Sequence, residues 1–264
     1  MSEIAGHPPA ENLEGAAPQP VRFKLRLPER KPVVVYALMA LTIFVFALQY
    51  LTQAGALHFG SCPYFSTLDL PACYGLKVND LIIAGQWWRL ITPIFLHANI
   101  IHIAFNMYAL NVLGPELERH YGRFPFLALY VVSGFAGVVL SFLLTDAPSL
   151  GASTSIFGLL AAQGIFVYRN QRLFGKRART ALASIINIAV INLLIGLAPG
   201  IDDWGHVGGL LGGLIFSGLA GPKYEVVEGD AEYRLVNHTA AANAALATLA
   251  VAAIFGALAF LRAR

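Results

Sequence analysis

Charged residues are scarce in this chain, at 12% of 264 residues, whereas ordinary soluble domains carry about 25%. Hydrophobic residues make up 57%, above the roughly 45–50% that is typical of soluble proteins. This charge content is too low for a soluble globular protein, a disordered chain or a nucleic-acid binder. The two cysteines exclude a disulfide-rich scaffold and a multi-cysteine metal domain. The remaining class is an all-α, polytopic membrane helical bundle.

The first 31 residues are rich in proline and show no apolar helical pattern. We therefore predict a disordered cytosolic arm over residues 1–31. A basic cluster lies between Arg22 and Lys31, directly before the first long apolar stretch. A cluster of this kind is typical of a cytoplasmic anchor.

Seven segments are apolar enough to be candidate membrane spans, since about 20 mostly apolar residues cross a bilayer. They are Val33–Thr52, His97–Leu113, Phe124–Leu144, Ser153–Tyr168, Ala181–Leu197, His206–Leu219 and Ala240–Leu261. The fourth and sixth are short and rich in glycine. Within the sixth, Gly209 and Gly213 form a GxxxG pair, which predicts a close approach between helix backbones.

The distribution of charge predicts the orientation. Loops Pro115–Arg123 and Arg169–Arg179 lie on the same side as the N-terminus and carry much of the arginine and lysine, so the positive-inside rule places the N-terminus in the cytoplasm. We expect a multi-pass protein of the plasma (inner) membrane. Seven spans then place Arg262 and Arg264 outside, in mild conflict with the rule. The intervening loop Gly221–His238 is net acidic.

A long connector, Gly55–Gln86, follows the first span and contains both cysteines, Cys62 and Cys73. Long connectors of this kind are usually functional or disordered. In an oxidising outer compartment the two cysteines could pair. Two unrelated free thiols remain an equal alternative.

Polar side chains inside membrane spans carry a large free-energy cost of insertion into lipid, so their presence indicates function. Five of them fall near the outer side in the predicted topology: His97, His102, Asn106, Ser153 and His206. His102 and Asn106 share one helical face because they are four residues apart. The convergence of these groups follows from the loop charges alone.

A serine and a histidine in this position suggest nucleophilic catalysis. A serine hydroxyl needs a base to remove its proton, and His206 is the suitable base. We predict Ser153 as the nucleophile, with oxyanion donors from His102, Asn106 and the Ser153 amide. Phe157 lies on the same helical face as Ser153 and is expected to pack against the His206 ring.

Other interpretations apply to each residue alone. A lone serine in a membrane helix usually forms a hydrogen bond with its own backbone. A lone histidine or asparagine can instead form a hydrogen bond to a neighbouring helix. Ser155 is the rival nucleophile, but it points about 160° around the helix from Ser153. Asp202 and Asp203 could orient His206, and we interpret them instead as solvated loop charges at the outer boundary.

An ordered set of motifs combines these residues. It consists of Trp88-Arg89, His97, His102-x-x-x-Asn106, Glu118-Arg119-x-x-Gly122, Gly151-x-Ser153, and Gly205-His206 followed by Gly209-x-x-x-Gly213. In this set the chain resembles the rhomboid family of intramembrane serine proteases, over roughly Val33 to Gly221. One position departs from the family pattern, because Thr154 follows the serine where the family has glycine. Its added side chain could narrow the oxyanion pocket or restrict the backbone.

The resemblance implies a rhomboid-like six-helix catalytic core over residues 32–221. An acidic loop and a seventh transmembrane helix would follow over residues 222–264. It implies a catalytic dyad of Ser153 and His206, an oxyanion site from His102, Asn106 and the Ser153 amide, and a fifth span that gates lateral substrate access. The Trp88-Arg89 loop is implied to lie partly in the outer leaflet.

The predicted function is an intramembrane serine endopeptidase that cleaves transmembrane protein substrates near the outer membrane face. Its expected partners are those substrates and the lipid bilayer, without nucleic acid, metal or cofactor. One alternative is a catalytically inactive rhomboid-like membrane protein that binds client proteins. Another is a protein that holds haem or a metal with His97, His102 and His206, against which the chain has no His-Glu-x-x-His motif.

Overall fold

The computed structural model describes residues 31–57, 62–65, 69–228, 233–239 and 241–264. The predicted disordered arm, except its last residue, lies outside these described residues.

The fold is a helical membrane bundle, as predicted. In chain order the α-helices and strands are α1 (Val34–Gln53), α2 (Leu70–Gly75), α3 (Asn79–Ile83), α4 (Ile100–Tyr121), α5 (Arg123–Leu144), α6 (Ser153–Arg169), α7 (Gln171–Phe174), α8 (Arg177–Gly196), α9 (Asp203–Ala220), β1 (Tyr224–Glu228), β2 (Tyr233–Asn237) and α10 (Ala241–Arg262). Two short 3₁₀ helices, Trp87–Leu90 and Thr92–Phe95, lie between α3 and α4. In the described residues the bundle has seven long helices, α1, α4, α5, α6, α8, α9 and α10. The C-terminal helix α10 contributes four residues to the buried core, namely Ala247, Val251, Phe255 and Ala259.

Each predicted span coincides with one long helix, but the bounds of the second span were wrong. Its helix, α4, begins at Ile100, because the Asn99 side chain accepts a hydrogen bond from the His102 backbone N–H and caps the helix. His97 therefore lies in the connection before the helix. At the other end α4 continues past Leu113 to Tyr121.

Four of the described helices are long and apolar enough to cross a membrane by length and composition: Val34–Gln53, Arg123–Leu144, Arg177–Gly196 and Ala242–Arg262. The other three long helices, α4, α6 and α9, carry the polar residues predicted for the site. Polar groups are tolerated at membrane depth where they face other helices or a cavity. The less apolar helices are thus the ones that carry the candidate site residues.

Helix α5 is the centre of the bundle and packs against α6, α9 and α10. Helices α6 and α9 also approach each other closely, as the GxxxG pair predicted. A Cβ atom on Gly213 would overlap the backbone of Gly158, and one on Gly209 would overlap the backbone of Thr154. The absent side chains therefore set the spacing between the helix that begins at Ser153 and the helix that carries His206.

One end of the bundle, here called the basic end, holds the N-terminus of α1 and the Arg169–Arg179 segment. The Glu118 carboxylate accepts hydrogen bonds from the backbone N–H groups of Val33, Val34 and Val35, at 2.8 to 2.9 Å. This contact caps the exposed donors at the start of α1. Arg169 donates to the carbonyl of Gly218 at 3.0 Å, near the end of α9.

The opposite end, here called the site end, holds the start of α6 and of α9. The end of α10 also lies there, since Arg262 is 3.8 Å from Asp146 in the connection after α5. Arg262 is therefore on the opposite end from the basic segment, as the seven-span topology predicted.

The segment Gly221–His238, predicted as a loop in an all-α fold, contains a β-hairpin. Strands β1 and β2 pair antiparallel, with Tyr224 opposite Asn237. Asn170 anchors the segment, because its side chain accepts from the Tyr224 backbone N–H and donates to the Pro222 carbonyl. A search for long apolar runs misses such short strands, which are read from residue alternation instead.

The connector between α1 and α4 is closed by a disulfide between Cys62 and Cys73, which decides between the two alternatives for these thiols. Arg89 is fully buried, and its guanidinium donates to the carbonyls of Cys73 and Leu76. The arginine of the Trp88-Arg89 motif thus fastens the disulfide-bearing helix α2 to the rest of the connector.

Candidate active site

A sharp turn delivers Ser153 to the start of α6. Gly151 has a φ of +133°, which favours glycine, and its N–H donates to the Pro93 carbonyl at 2.9 Å. A Cβ atom at this position would also lie 2.9 Å from the His102 ring. Glycine at 151 is therefore required both by the backbone conformation and by the approach of His102.

The Ser153 hydroxyl and the His206 imidazole are in contact. Their Oγ and Nε2 atoms are 2.9 Å apart, although the residues are separated by 53 positions in the chain. Close packing of α6 on α9 brings these two helices within reach. The arrangement allows the imidazole to take the hydroxyl proton.

Phe157 fixes the plane of the imidazole, as the sequence predicted from its position on the helix. Its ring stacks on His206 with centroids 4.3 Å apart and an interplanar angle of 14°. His206 itself is buried. Stacking on one face restricts how far the imidazole plane can tilt.

A cavity of about 460 Å³ opens beside this pair. The predicted donors His102 and Asn106 both line it, together with Gly151. The Asn106 side-chain amide donates one hydrogen bond to the His102 carbonyl at 2.9 Å. Because an amide nitrogen carries two hydrogens, one donor of Asn106 remains available toward the cavity.

His97 does not line the cavity. Its ring packs edge-on against His102 at 5.0 Å, and its backbone forms a reciprocal pair of hydrogen bonds with the Gln49 side chain. Sequence reasoning missed Gln49, a polar residue within the first apolar span, although its position there was a usable signal. His97 and Gln49 thus tie α1 to the segment that supports His102.

Ser155, the rival nucleophile, is fully buried. A Cβ atom on Gly134 would overlap its hydroxyl, so the side chain of Ser155 is directed at α5. Ser155 is not among the residues that line the cavity.

Asp202 and Asp203 differ from the interpretation as solvated loop charges. Asp202 caps α9 by accepting a hydrogen bond from the Gly205 N–H at 2.9 Å, and Asp203 is the first residue of the helix. An Asp203 carboxylate oxygen lies 3.8 Å from the Nδ1 atom of His206. Both carboxylates therefore belong to the surroundings of the imidazole.

No group of three or more histidine, cysteine or acidic side chains is arranged to hold a metal ion among the described residues. Of the three histidines considered for haem or metal, His206 contacts Ser153 and His97 lies behind His102. The cavity is lined by the Ser153 hydroxyl, the imidazoles of His102 and His206, and the Asn106 amide.

Fold and site together define a polytopic helical membrane protein with a serine–histidine pair facing a cavity near one end of the bundle. The family model described as the Rhomboid domain matches residues 84–223, which is more than half of the chain. The chain belongs to the rhomboid family.

Similar proteins come from bacteria and plants. The chain is 40% identical over 195 residues to the Rhomboid protease GluP of Bacillus subtilis (strain 168), covering 73% of this chain and 36% of that protein. It is 42% identical over 152 residues to the RHOMBOID-like protein 6, mitochondrial, of Arabidopsis thaliana, covering 57% of this chain and 48% of that protein.

A longer match, 31% identical over 247 residues, is to the RHOMBOID-like protein 5 of Arabidopsis thaliana, covering 82% of this chain and 78% of that protein. The chain nevertheless spans less than half the length of several curated relatives that it matches.

Proposed function

We propose that this protein is an intramembrane serine endopeptidase that cleaves transmembrane protein substrates near the outer membrane face. The observation that carries the proposal is the 2.9 Å contact between Ser153 Oγ and His206 Nε2. The match to a curated rhomboid protease supports it.

The proposed reaction proceeds through an acyl-enzyme. Ser153 attacks the peptide carbonyl while His206 takes the hydroxyl proton, and the same proton then passes to the leaving amine. Water, activated by His206 in turn, releases the second product. The negative oxygen of each tetrahedral intermediate would be stabilised by the Ser153 backbone N–H, the free hydrogen of Asn106 and the His102 ring N–H.

Helix α8 is the proposed lateral gate for the substrate. Its Asn192 and Ile195 line one wall of the cavity, while its lipid-facing residues, such as Leu194, are exposed. A helix with few buried contacts can move at low cost, so displacement of α8 would admit a substrate helix from the bilayer. Local unwinding of the substrate helix would then expose the carbonyl of the peptide bond to be cleaved to Ser153.

The proposed location is the plasma (inner) membrane with the N-terminus in the cytoplasm. It is supported by the basic residues Arg172, Lys176 and Arg179 at the basic end, which the positive-inside rule assigns to the cytoplasm. The cavity then faces the outer side, from which water reaches Ser153.

A serine-reactive fluorophosphonate probe tests the proposal in the full chain, reconstituted in lipid vesicles with a transmembrane test substrate. We expect the wild type to be labelled and to cleave the substrate. Ser153→Ala should lose both properties, and Ser155→Ala, the matched control two residues along the helix, should keep both.

Two outcomes would contradict the proposal. Labelling that persists in Ser153→Ala and disappears in Ser155→Ala would show that the nucleophile is Ser155. Folded wild-type protein that is neither labelled nor active would favour the alternative, a rhomboid-like protein that binds clients without cleaving them.

A further inference from the structure

If His206 acts as the base, its second ring nitrogen, Nδ1, must carry a proton. For Nε2 to receive a proton from Ser153, the single proton of the neutral imidazole must be on Nδ1. An acceptor facing Nδ1 selects this tautomer and stabilises the positive charge that forms on proton transfer. Phe157, stacked on the ring face, cannot accept that hydrogen bond in the plane of the ring.

Asp203 is positioned to be this acceptor. One of its carboxylate oxygens, Oδ1, is 3.8 Å from His206 Nδ1. Both atoms are buried, and neither has a hydrogen-bond partner among the described residues. A separation of 3.8 Å is too long for a hydrogen bond, but rotation of the short Asp203 side chain by less than 1 Å at the oxygen would close it.

The Asp203 carboxylate also lies against the C-terminal end of α8. A Cβ atom on Gly196, the last residue of that helix, would overlap Asp203 Oδ1. The missing side chain at 196 therefore leaves the space that the carboxylate occupies. Asp203 lies between the end of the proposed gate and the imidazole, so its placement depends on both helices.

Two other titratable side chains face His206. His102 approaches from α4 across the cavity, and Asp202 lies at the N-terminus of α9. Asp202 accepts the hydrogen bond that caps the helix. Asp203 is the carboxylate that the described structure places within 4 Å of Nδ1.

We propose that Asp203 is a positioning residue that accepts the Nδ1 hydrogen of His206 and turns the serine–histidine pair into a triad. This inference rests on the proposed function. In the attack step the hydroxyl proton of Ser153 moves to Nε2, the Nδ1 proton stays on the ring, and Asp203 remains an ionised carboxylate. Its effect is on the tautomer and orientation of the base.

The test compares Asp203→Ala and Asp203→Asn with Asp146→Asn in the reconstituted full chain. Asp146→Asn removes one negative charge from the same end of the bundle, at a residue that does not line the cavity. We expect Asp203→Ala to lower kcat at least about tenfold, because a carboxylate that holds the catalytic tautomer of a histidine contributes up to about 10⁴-fold in serine proteases. KM and thermal stability should change little, and labelling by the fluorophosphonate probe should slow in parallel.

Rescue by a small carboxylate separates positioning from folding. Sodium formate should restore part of the kcat of Asp203→Ala, relative to sodium chloride at equal ionic strength, and should not raise that of the wild type. Asp203→Asn, which keeps the shape of the side chain, should lose kcat with wild-type thermal stability. Asp146→Asn should retain most of its kcat.

Three results would overturn this inference. The first is an Asp203→Ala kcat within about threefold of wild type, which is smaller than an orienting carboxylate contributes to a catalytic histidine. The second is an equal loss of kcat in Asp146→Asn, and the third is a loss in Asp203→Ala that formate does not reduce. A folded wild type without labelling or cleavage would instead overturn the proposed function, and this inference with it.

Discussion

Thr154 fills a space that Gly137 leaves open on the neighbouring helix. A Cβ atom on Gly137 would lie 2.6 Å from the Thr154 Cβ atom, and one on Gly205 would lie 3.0 Å from its Cγ2 atom. The threonine that stands in place of the family's glycine therefore packs between α5 and α9. Two glycines facing it accommodate the added side chain.

This packing predicts the effect of restoring the family residue. Thr154→Gly should lower the thermal stability, because it removes buried contacts and introduces a poor helix former that costs about 1 kcal/mol. Cleavage per folded molecule should change little. The measurement is thermal unfolding in detergent, with kcat determined on the same preparations.

Thr154→Val is the matched control. The Thr154 hydroxyl is buried with no hydrogen-bond partner in the described part of the chain, so its replacement by a methyl group should leave stability unchanged or raise it by about 1 kcal/mol. If Thr154→Gly raised kcat by more than tenfold, the threonine would be narrowing the oxyanion pocket instead.

Two glycines of α9 should respond oppositely to the same substitution. Gly213→Ala places a Cβ atom on the backbone of Gly158 and should lower the free energy of unfolding by about 1–3 kcal/mol, as overpacking does. Cleavage should fall as well, since α6 and α9 carry Ser153 and His206. In Gly218→Ala the added atom meets nothing within 4 Å, so helix propensity should raise stability by up to about 1 kcal/mol.

Thermal unfolding and cleavage assays of the two variants side by side check this prediction. Equal stabilities of Gly213→Ala and Gly218→Ala would show that the contact between α6 and α9 is looser than its geometry indicates.

Lys77 connects the α1–α4 connector to the turn that precedes Ser153. Its ammonium donates to the carbonyls of Ser141, Thr145 and Ala147 at 2.7 to 3.3 Å. Its backbone pairs with Ser149. The Ser141 carbonyl also accepts from the Thr145 N–H, so the lysine adds a second donor there and pairs with the Thr145 and Ala147 carbonyls just beyond the end of α5.

Burial lowers the pKa of Lys77 from 10.5 to about 8. The unfolded chain keeps the proton up to pH 10.5, whereas the folded protein releases it near pH 8, so unfolding takes up a proton in this range. The contribution of Lys77 to the free energy of unfolding should therefore rise with pH between about 8 and 10.5.

Lys77→Met should remove this part of the pH dependence, and Lys176→Met, at an exposed lysine of the basic end, should keep it. Thermal unfolding of the three proteins across this pH range provides the comparison. A wild-type slope in Lys77→Met would show that the lysine does not release its proton on folding.

Much of the bundle and site could be predicted from local signals. Apolar runs located the seven long helices, because the free energy of moving a residue from water into lipid depends mainly on its own side chain. Loop arginines and lysines predicted that Ser153, His102 and His206 would share one end. The spacing of Ser153 and Phe157 placed both on one face because the helical repeat is fixed.

Other features depended on the specific partner of a polar atom or thiol. The start of α4 moved to Ile100 through the Asn99 cap, which joins residues three positions apart. The hairpin after α9 was docked by Asn170, and the connector thiols, Cys62 and Cys73, were found paired. None of these follows from hydropathy, since each needs a specific partner in three dimensions.

Sequence by itself determined the class of molecule, the number of long helices and the residue types available for chemistry, because these follow from composition and periodicity along one chain. Only the tertiary structure decided which polar atoms meet. The separation between Ser153 and His206 depends on how closely glycines let α6 approach α9, and the assignment of Asp203 to the imidazole depends on the space left by Gly196. Distances of this kind are set by packing between helices, which no single segment encodes.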